Sequence, residues 1–204
     1  MKIVSFKEKE LLKKALDNDE VIAFPTETVF GLGARSSSEK AFENLVKVKN
    51  RRPDKPFTLM CGTISQIVDY IEINENTEKL IKKFMPGSIT LLVKPKENIK
   101  HYLHLNSPYI GFRIPNNEDL QSFLNYYGEP LLVPSANKSD EIPALSHEEV
   151  KKYFENEIEY CVEGYCKTNE PSTIVIVNEN DFKIVRNGPI SENEIKEALK
   201  WKLH

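Results

Sequence analysis

The sequence predicts an α/β fold, a twisted mixed sheet covered by helices, from three observations. Short apolar or β-branched runs recur along most of the chain, stretches with helical spacing lie between them, and four helix starts carry a serine followed three residues later by a glutamate. No internal repeat, low-complexity segment or linker interrupts the alternation, so one domain spanning 1–204 is expected, long enough to bury a substantial core.

The four serine–glutamate pairs are Ser5 with Glu8, Ser36 with Glu39, Ser146 with Glu149 and Ser191 with Glu194. In such a box the hydroxyl and the carboxylate satisfy backbone N–H groups that the first turn leaves unpaired. The helix after Glu39 sets Ala41, Phe42, Leu45 and Val46 at helical spacing and runs into the basic cluster Lys49-Asn50-Arg51-Arg52. Two more helices are expected from Thr77 to Met85, stopped by Pro86-Gly87, and from Glu118 to Tyr127, stopped by Gly128. Strands are expected at Val21–Phe24, Ile89–Val93, Tyr109–Ile114, Pro130–Val133, Ile158–Val162, Thr173–Val177 and Phe182–Val185. Ligands of such a fold bind at loops leaving the strand ends.

A formal net charge of -3 with 29% charged residues gives no global positive field that would make nucleic acid the main ligand. The N-terminus lacks the apolar core of a signal peptide and no run approaches the roughly 18 apolar residues of a membrane span, so a cytoplasmic protein without a membrane partner is expected. Cys61, Cys161 and Cys166 show no zinc or disulfide spacing and are expected to be reduced thiols.

The polar clusters beside predicted strands carry the chemistry, because a strand holds a loop residue to catalytic tolerance. Pro25-Thr26-Glu27-Thr28 follows the first core strand, and Gly31 and Gly33 then permit close backbone approach; an ordinary strand-to-helix turn uses the same residues. Lys49 and Arg51 stand at a helix C-terminus, where cations suit the dipole unaided, yet a lysine point charge and an arginine fork also suit phosphate oxygens. Ser135-Ala136-Asn137 follows a strongly apolar run, and Pro171-Ser172-Thr173 opens one; either serine also fits a simple turn. Arg113, inside Gly111-Phe112-Arg113-Ile114-Pro115, must find an anion or an acceptor network, and Arg186 before Asn187-Gly188 is a similar cation at a strand end.

Common signatures are absent. There is no Gly-x-x-x-x-Gly-Lys-Ser/Thr loop, Gly31-Leu32-Gly33 does not continue into Gly-x-Gly-x-x-Gly, and neither Ser135 nor Ser172 lies in a Gly-x-Ser-x-Gly elbow. His101 and His104 stand three apart without a carboxylate or cysteine to complete a zinc set, and His147 and His204 have no obvious partner.

Taken in order, Phe24–Gly33, Lys49-Asn50-Arg51, Lys55-Pro56, Pro86–Thr90, Arg113-Ile114-Pro115, Pro134–Asn137, Pro171–Val175 and Arg186-Asn187-Gly188 resemble the motifs of the YrdC family over about residues 20 to 190. The ordered set, above all Lys-x-Arg with the later Ser-x-Asn, carries the resemblance. It implies an α/β fold with a deep basic cleft and synthesis of L-threonylcarbamoyl-AMP from L-threonine, bicarbonate and ATP, with release of pyrophosphate. It implies further that Mg²⁺ travels with the nucleotide phosphates without a dedicated protein metal site. The product would pass to a threonylcarbamoyl-transferring partner that modifies adenosine in tRNA.

By the same resemblance, Thr26, Arg113 and Ser172 hold threonine, while Lys49, Arg51, Ser135, Asn137 and Arg186 hold ATP. Lys49, Arg51, Ser135 and Asn137 form the catalytic set, and Tyr109 adds a nucleotide contact. Three departures stand out. Ser139-Asp140-Glu141-Ile142-Pro143 carries aspartate for the family's glycine and one extra residue; Phe57–Cys61 reads as apolar strand and is similar to a less characterised YrdC-like branch; and the additional C-terminal domain of longer relatives is not expected after Trp201. Two other functions share the cleft: a non-catalytic RNA-binding module, for which net charge implies weak, salt-dependent binding, and a carbamoyl-transfer domain like that of hydrogenase maturation factors.

Overall fold

The structure, a computed structural model, describes residues 1–51, 54–139, 141–166 and 168–200. Ten strands form one sheet: β1 (Lys2–Val4), β2 (Ile22–Phe24), β3 (Gly31–Arg35), β4 (Leu59–Met60), β5 (Ile89–Val93), β6 (Ile110–Arg113), β7 (Leu131–Leu132), β8 (Tyr160–Val162), β9 (Thr173–Val177) and β10 (Phe182–Arg186). Their spatial order is β1-β8-β2-β3-β7-β4-β6-β5-β9-β10, with parallel pairs at β1/β8, β2/β8, β4/β6 and β5/β9 and antiparallel pairs elsewhere. The register of β10 on β9 slips between Ile184 and Arg186, at the outer rim of the sheet.

Among the described residues six α-helices cover it: α1 (Lys9–Asp17), α2 (Glu39–Lys49), α3 (Glu75–Phe84), α4 (Glu118–Tyr127), α5 (His147–Phe154) and α6 (Glu192–Leu199). Successive strand residues point to opposite faces, and the two hydrophobic cores follow that period. Ile22, Phe24, Met60, Leu131 and Val133 pack with Leu12 and Leu16 of α1 and with Leu120, Phe123 and Leu124 of α4. Ala23, Leu32, Leu59, Cys61 and Leu132 instead share a core with Leu45, Leu80, Val150, Phe154 and Ile195 from α2, α3, α5 and α6. Apolar residues on both faces explain why these strands read as continuous runs in the sequence.

The serine boxes mark real helix starts with one displacement. Ser5 and Ser191 form full capping boxes, the first opening a 3-10 turn at Phe6–Glu8 ahead of α1. Ser146 accepts from the Glu149 N–H, but the Glu149 carboxylate takes the N–H of Leu145 instead of the cap's own. The cap of α2 is Ser38, not Ser36: the extended Ser38 accepts from the Ala41 N–H, and Glu39 then becomes the first helical residue, where an acid suits the dipole. Helix α3 starts two residues earlier than Thr77 because Asn74 caps it, accepting from the Thr77 N–H at 2.8 Å.

The segment read as a strand-to-helix turn is instead the loop of a hairpin, since β2 and β3 pair antiparallel through Phe24 and Gly31. Gly31 and Gly33, expected to permit close backbone approach, lie within β3. A Cβ at Gly33 would stand 2.5 Å from Cε1 of Phe24, so any side chain there forces the buried Phe24 ring to shift. Gly33→Ala is expected to cost about 1 to 3 kcal/mol through overpacking, read as a melting temperature lower by several degrees; an unchanged value would show that Phe24 yields freely. Strand β1 was not foreseen, as three residues at a charged terminus give too short a pattern.

Candidate functional site

Segments far apart in the chain converge on one cavity of about 230 Å³, lined by Thr26, Arg51, Arg113, Ser135, Ser172 and Arg186 among others. Six of the nine residues expected at the site therefore share its wall. Lys49 and Asn137 stand directly behind Ser135. Tyr109 does not join them: it precedes β6 while Arg113 closes it, and its hydroxyl donates to Asn178 Oδ1 at 3.4 Å.

Each arginine is held differently. Arg113, 6% exposed, donates from Nε to the Gly87 carbonyl at 3.2 Å and from Nη1 to Thr28 Oγ1 at 3.0 Å, and its Nη2 lies 2.7 Å from the Glu27 carboxylate. Arg186 donates from Nε and Nη2 to the Ser172 carbonyl and from Nη2 to Ser172 Oγ at 3.1 Å. Arg51 donates from Nε to the Lys55 carbonyl and from Nη2 to the Pro56 carbonyl, and its guanidinium sits over the Phe57 ring. Burial lowers the pKa of Arg51 and of Arg186, the latter also through the nearby charge of Arg113. The guanidiniums of Arg113 and Arg186 line the same wall as the hydroxyls of Thr26 and Ser172, a donor set suited to an anion.

The helix dipole does not account for the Lys49–Arg51 pair. Asn50 caps α2 with φ 50°, a left-handed turn that sends Arg51 away from the helix axis, and the donors of Arg51 go to the following loop. Lys49, 3% exposed, donates to the Ser135 carbonyl at 2.7 Å and to Asn137 Oδ1 at 2.6 Å. Ser135 Oγ donates to the same Oδ1, and the Asn137 amide NH₂ bonds the carbonyls of Lys138 and Glu141. Ser135, Asn137 and Lys49 are thus one hydrogen-bonded unit.

The longer loop after Asn137 is tied by that amide and by the Glu141 N–H on the Lys138 carbonyl, and Pro143 still reaches the cavity wall. Asp140 itself lies outside the described residues, as do Arg52, Trp201 and His204.

Sequence reasoning assigned no role to Glu27, Thr28 or Thr90. Thr28 receives Arg113, while Thr90 Oγ1 meets Ser172 Oγ at 2.8 Å. The signal for Thr90 was present: it is the lone hydroxyl in Ile89-Thr90-Leu91-Leu92-Val93. Gly188 contributes by absence, since a Cβ there would lie 2.6 Å from the Pro171 carbonyl and displace the segment bearing Ser172.

Nothing among the described residues gathers three or more metal-ligating side chains, and no described helix is long and apolar enough to cross a membrane. His101 and His104 sit edge to face, His101 bonded to Asn106. The three cysteines are unpaired; burial pushes Cys61 and Cys161 up to about 12 and Cys166 up to about 11, which keeps them protonated at neutral pH.

Known proteins are similar to this chain in sequence and in fold. Threonylcarbamoyl-AMP synthase of Wigglesworthia glossinidia brevipalpis is 34% identical over 191 residues, 91% of this chain and 97% of that protein. The uncharacterized protein YciO of Escherichia coli K12 is 28% identical over 170 residues, 82% of each chain. The crystal structure of P. abyssi Sua5 complexed with L-threonine superposes with a TM-score of 0.90 at 26% identity, covering 98% of this chain but only 59% of that longer one. Residues 14–188 match the Sua5/YciO/YrdC family model, described as telomere recombination; the chain belongs to that family.

Proposed function

We propose that this protein is a threonylcarbamoyl-AMP synthase, making L-threonylcarbamoyl-AMP from L-threonine, bicarbonate and ATP with release of pyrophosphate, for threonylcarbamoyladenosine modification of tRNA. One observation carries it: Arg51, Arg113 and Arg186, from three distant segments, face one cavity whose remaining polar groups are serine and threonine hydroxyls. Both reactants are anions, so such a cavity performs the reaction by positioning and by screening charge.

The threonine amine first captures bicarbonate as a carbamate, with loss of water. A carbamate oxygen then attacks the α-phosphorus of ATP, and pyrophosphate leaves. Thr26, Arg113 and Ser172 hold threonine, with Arg113 on its carboxylate. Arg51 and Arg186 face the phosphates, and Ser135 meets them with the charge of Lys49 and the amide of Asn137 behind it. Mg²⁺ enters with the nucleotide and keeps most of its waters. The labile adenylate passes to a threonylcarbamoyl-transferring complex, and any contact with RNA is weak and limited to the cleft cations. The protein works in the cytoplasm.

Turnover of ATP is expected to need threonine and bicarbonate together, since the group that accepts AMP contains both. Pyrophosphate release, followed with each omitted in turn, tests this: release that persists without threonine would contradict the proposal.

A further inference from the structure

Glu27 stands in a bend between Thr26 and Thr28, both of which line the cavity, and is not itself among the lining residues, its carboxylate meeting Arg113 instead. Its side chain is 17% exposed, and its two buried carboxylate oxygens make no aligned hydrogen bond among the described residues, Oε1 meeting Arg113 Nη2 as an ion pair alone. A buried carboxylate with unmet acceptors is costly, so its negative charge has one evident use, against the guanidinium 2.7 Å away. Arg186, by contrast, bonds the carbonyl and hydroxyl of Ser172 among the described residues, and Arg51, which also feels the charge of Asp54, bonds two loop carbonyls. The cleft therefore holds a half-cancelled arginine beside one that gives its hydrogen bonds to neutral acceptors.

Attraction scales with the product of charges. A ligand in front of Arg113 meets a dipole where it would otherwise meet a full charge, and the loss is proportionally greater for a polyanion than for a zwitterion. We propose that Glu27 is a positioning residue that sorts the anions of the cleft: it reserves Arg113 for the carboxylate of a zwitterionic amino acid and leaves polyphosphate to Arg51 and Arg186. The identity of the two ligands rests on the synthase reading; the sorting itself rests on the Glu27–Arg113 pair.

Calorimetric titration of L-threonine and of pyrophosphate, alone and in competition, tests the sorting on the wild type, Glu27→Gln and Glu27→Asp. Pyrophosphate is expected to leave threonine bound to the wild type. In Glu27→Gln the ratio of pyrophosphate to threonine affinity should rise on the order of tenfold or more, and pyrophosphate should now displace threonine. Glu27→Asp keeps the charge and should stay near the wild-type ratio. Displacement of threonine from the wild type, an unchanged ratio in Glu27→Gln, or an aspartate variant that matches glutamine would each overturn the proposal. If Glu27→Gln does not fold, the wild-type competition and the aspartate variant still decide. A wild type that binds no threonine at all would remove the synthase reading, while the pyrophosphate affinities of wild type and Glu27→Gln would still test Glu27 by themselves, equal values counting against it.

Discussion

Arg51→Ala is expected to lower turnover by about 10² to 10³, the effect of removing one charge-assisted donor from a phosphoryl-transfer site. Its stability should fall by only about 1 kcal/mol, because the lost bonds reach two loop carbonyls near the surface and the stacked Phe57 remains buried by other contacts. Arg51→Lys should restore little. A single ammonium cannot bond the carbonyls of Lys55 and Pro56 and still present a planar fork to the cavity. Steady-state pyrophosphate release and thermal melting of both variants check this. Near wild-type rates in both would remove Arg51 from the site, whatever happened to their melting.

Lys49→Met should behave differently, and here the structure revises what the sequence suggested. As a cation at a helix end, Lys49 promised a residue removable at little cost in stability. Its ammonium is instead the hub of a buried cluster, bonded to the Ser135 carbonyl and Asn137 Oδ1. Methionine fills the volume but strands those acceptors, which should cost about 3 kcal/mol, or roughly 6 to 12 °C in melting temperature for a chain of this size. Activity should fall with it, since Ser135 loses the unit that orients its hydroxyl. Melting indistinguishable from wild type would show that the cluster contributes no stability. A variant with lowered melting but full turnover would show that Lys49 is structural only.

Much of this was legible in the chain because the informative signals are local. Strands β5 and β9 and helix α4 were bounded correctly by apolar runs and by Gly128, and Arg113 announced itself as a cation inside an apolar strand. What stayed hidden depends on partners distant in sequence. Nothing local distinguishes the Thr26–Thr28 loop of a hairpin from a strand-to-helix turn, since the difference lies in which segment pairs with β2. The apolar Phe57–Cys61 run did announce a strand, but its trimming to the two residues of β4 follows from pairing with β6 and β7, which no local signal gives. Tyr109, given a nucleotide contact by the resemblance, stands off the cavity wall, because four residues along a strand carry it more than about 12 Å from Arg113 at roughly 3.3 Å per residue. Glu27 passed as a turn acid because its partner is 86 positions away in the chain.

Arg113 and Arg186, which share the cavity wall, also differ in how firmly the scaffold grips them. Arg113 ends a strand with neighbours on both sides, whereas Arg186 ends the rim strand β10, held by β9 alone and past the slip in register. Rim strands open at lower free energy than central ones. An adenylate that joins the carboxylate on Arg113 to the phosphate facing Arg186 would therefore staple the margin of the sheet to its middle, and each opening of β10 would first have to give up that ligand. Occupancy of the cleft and cohesion of the margin become one equilibrium, in which the margin closes as the cleft fills and loosens as it empties.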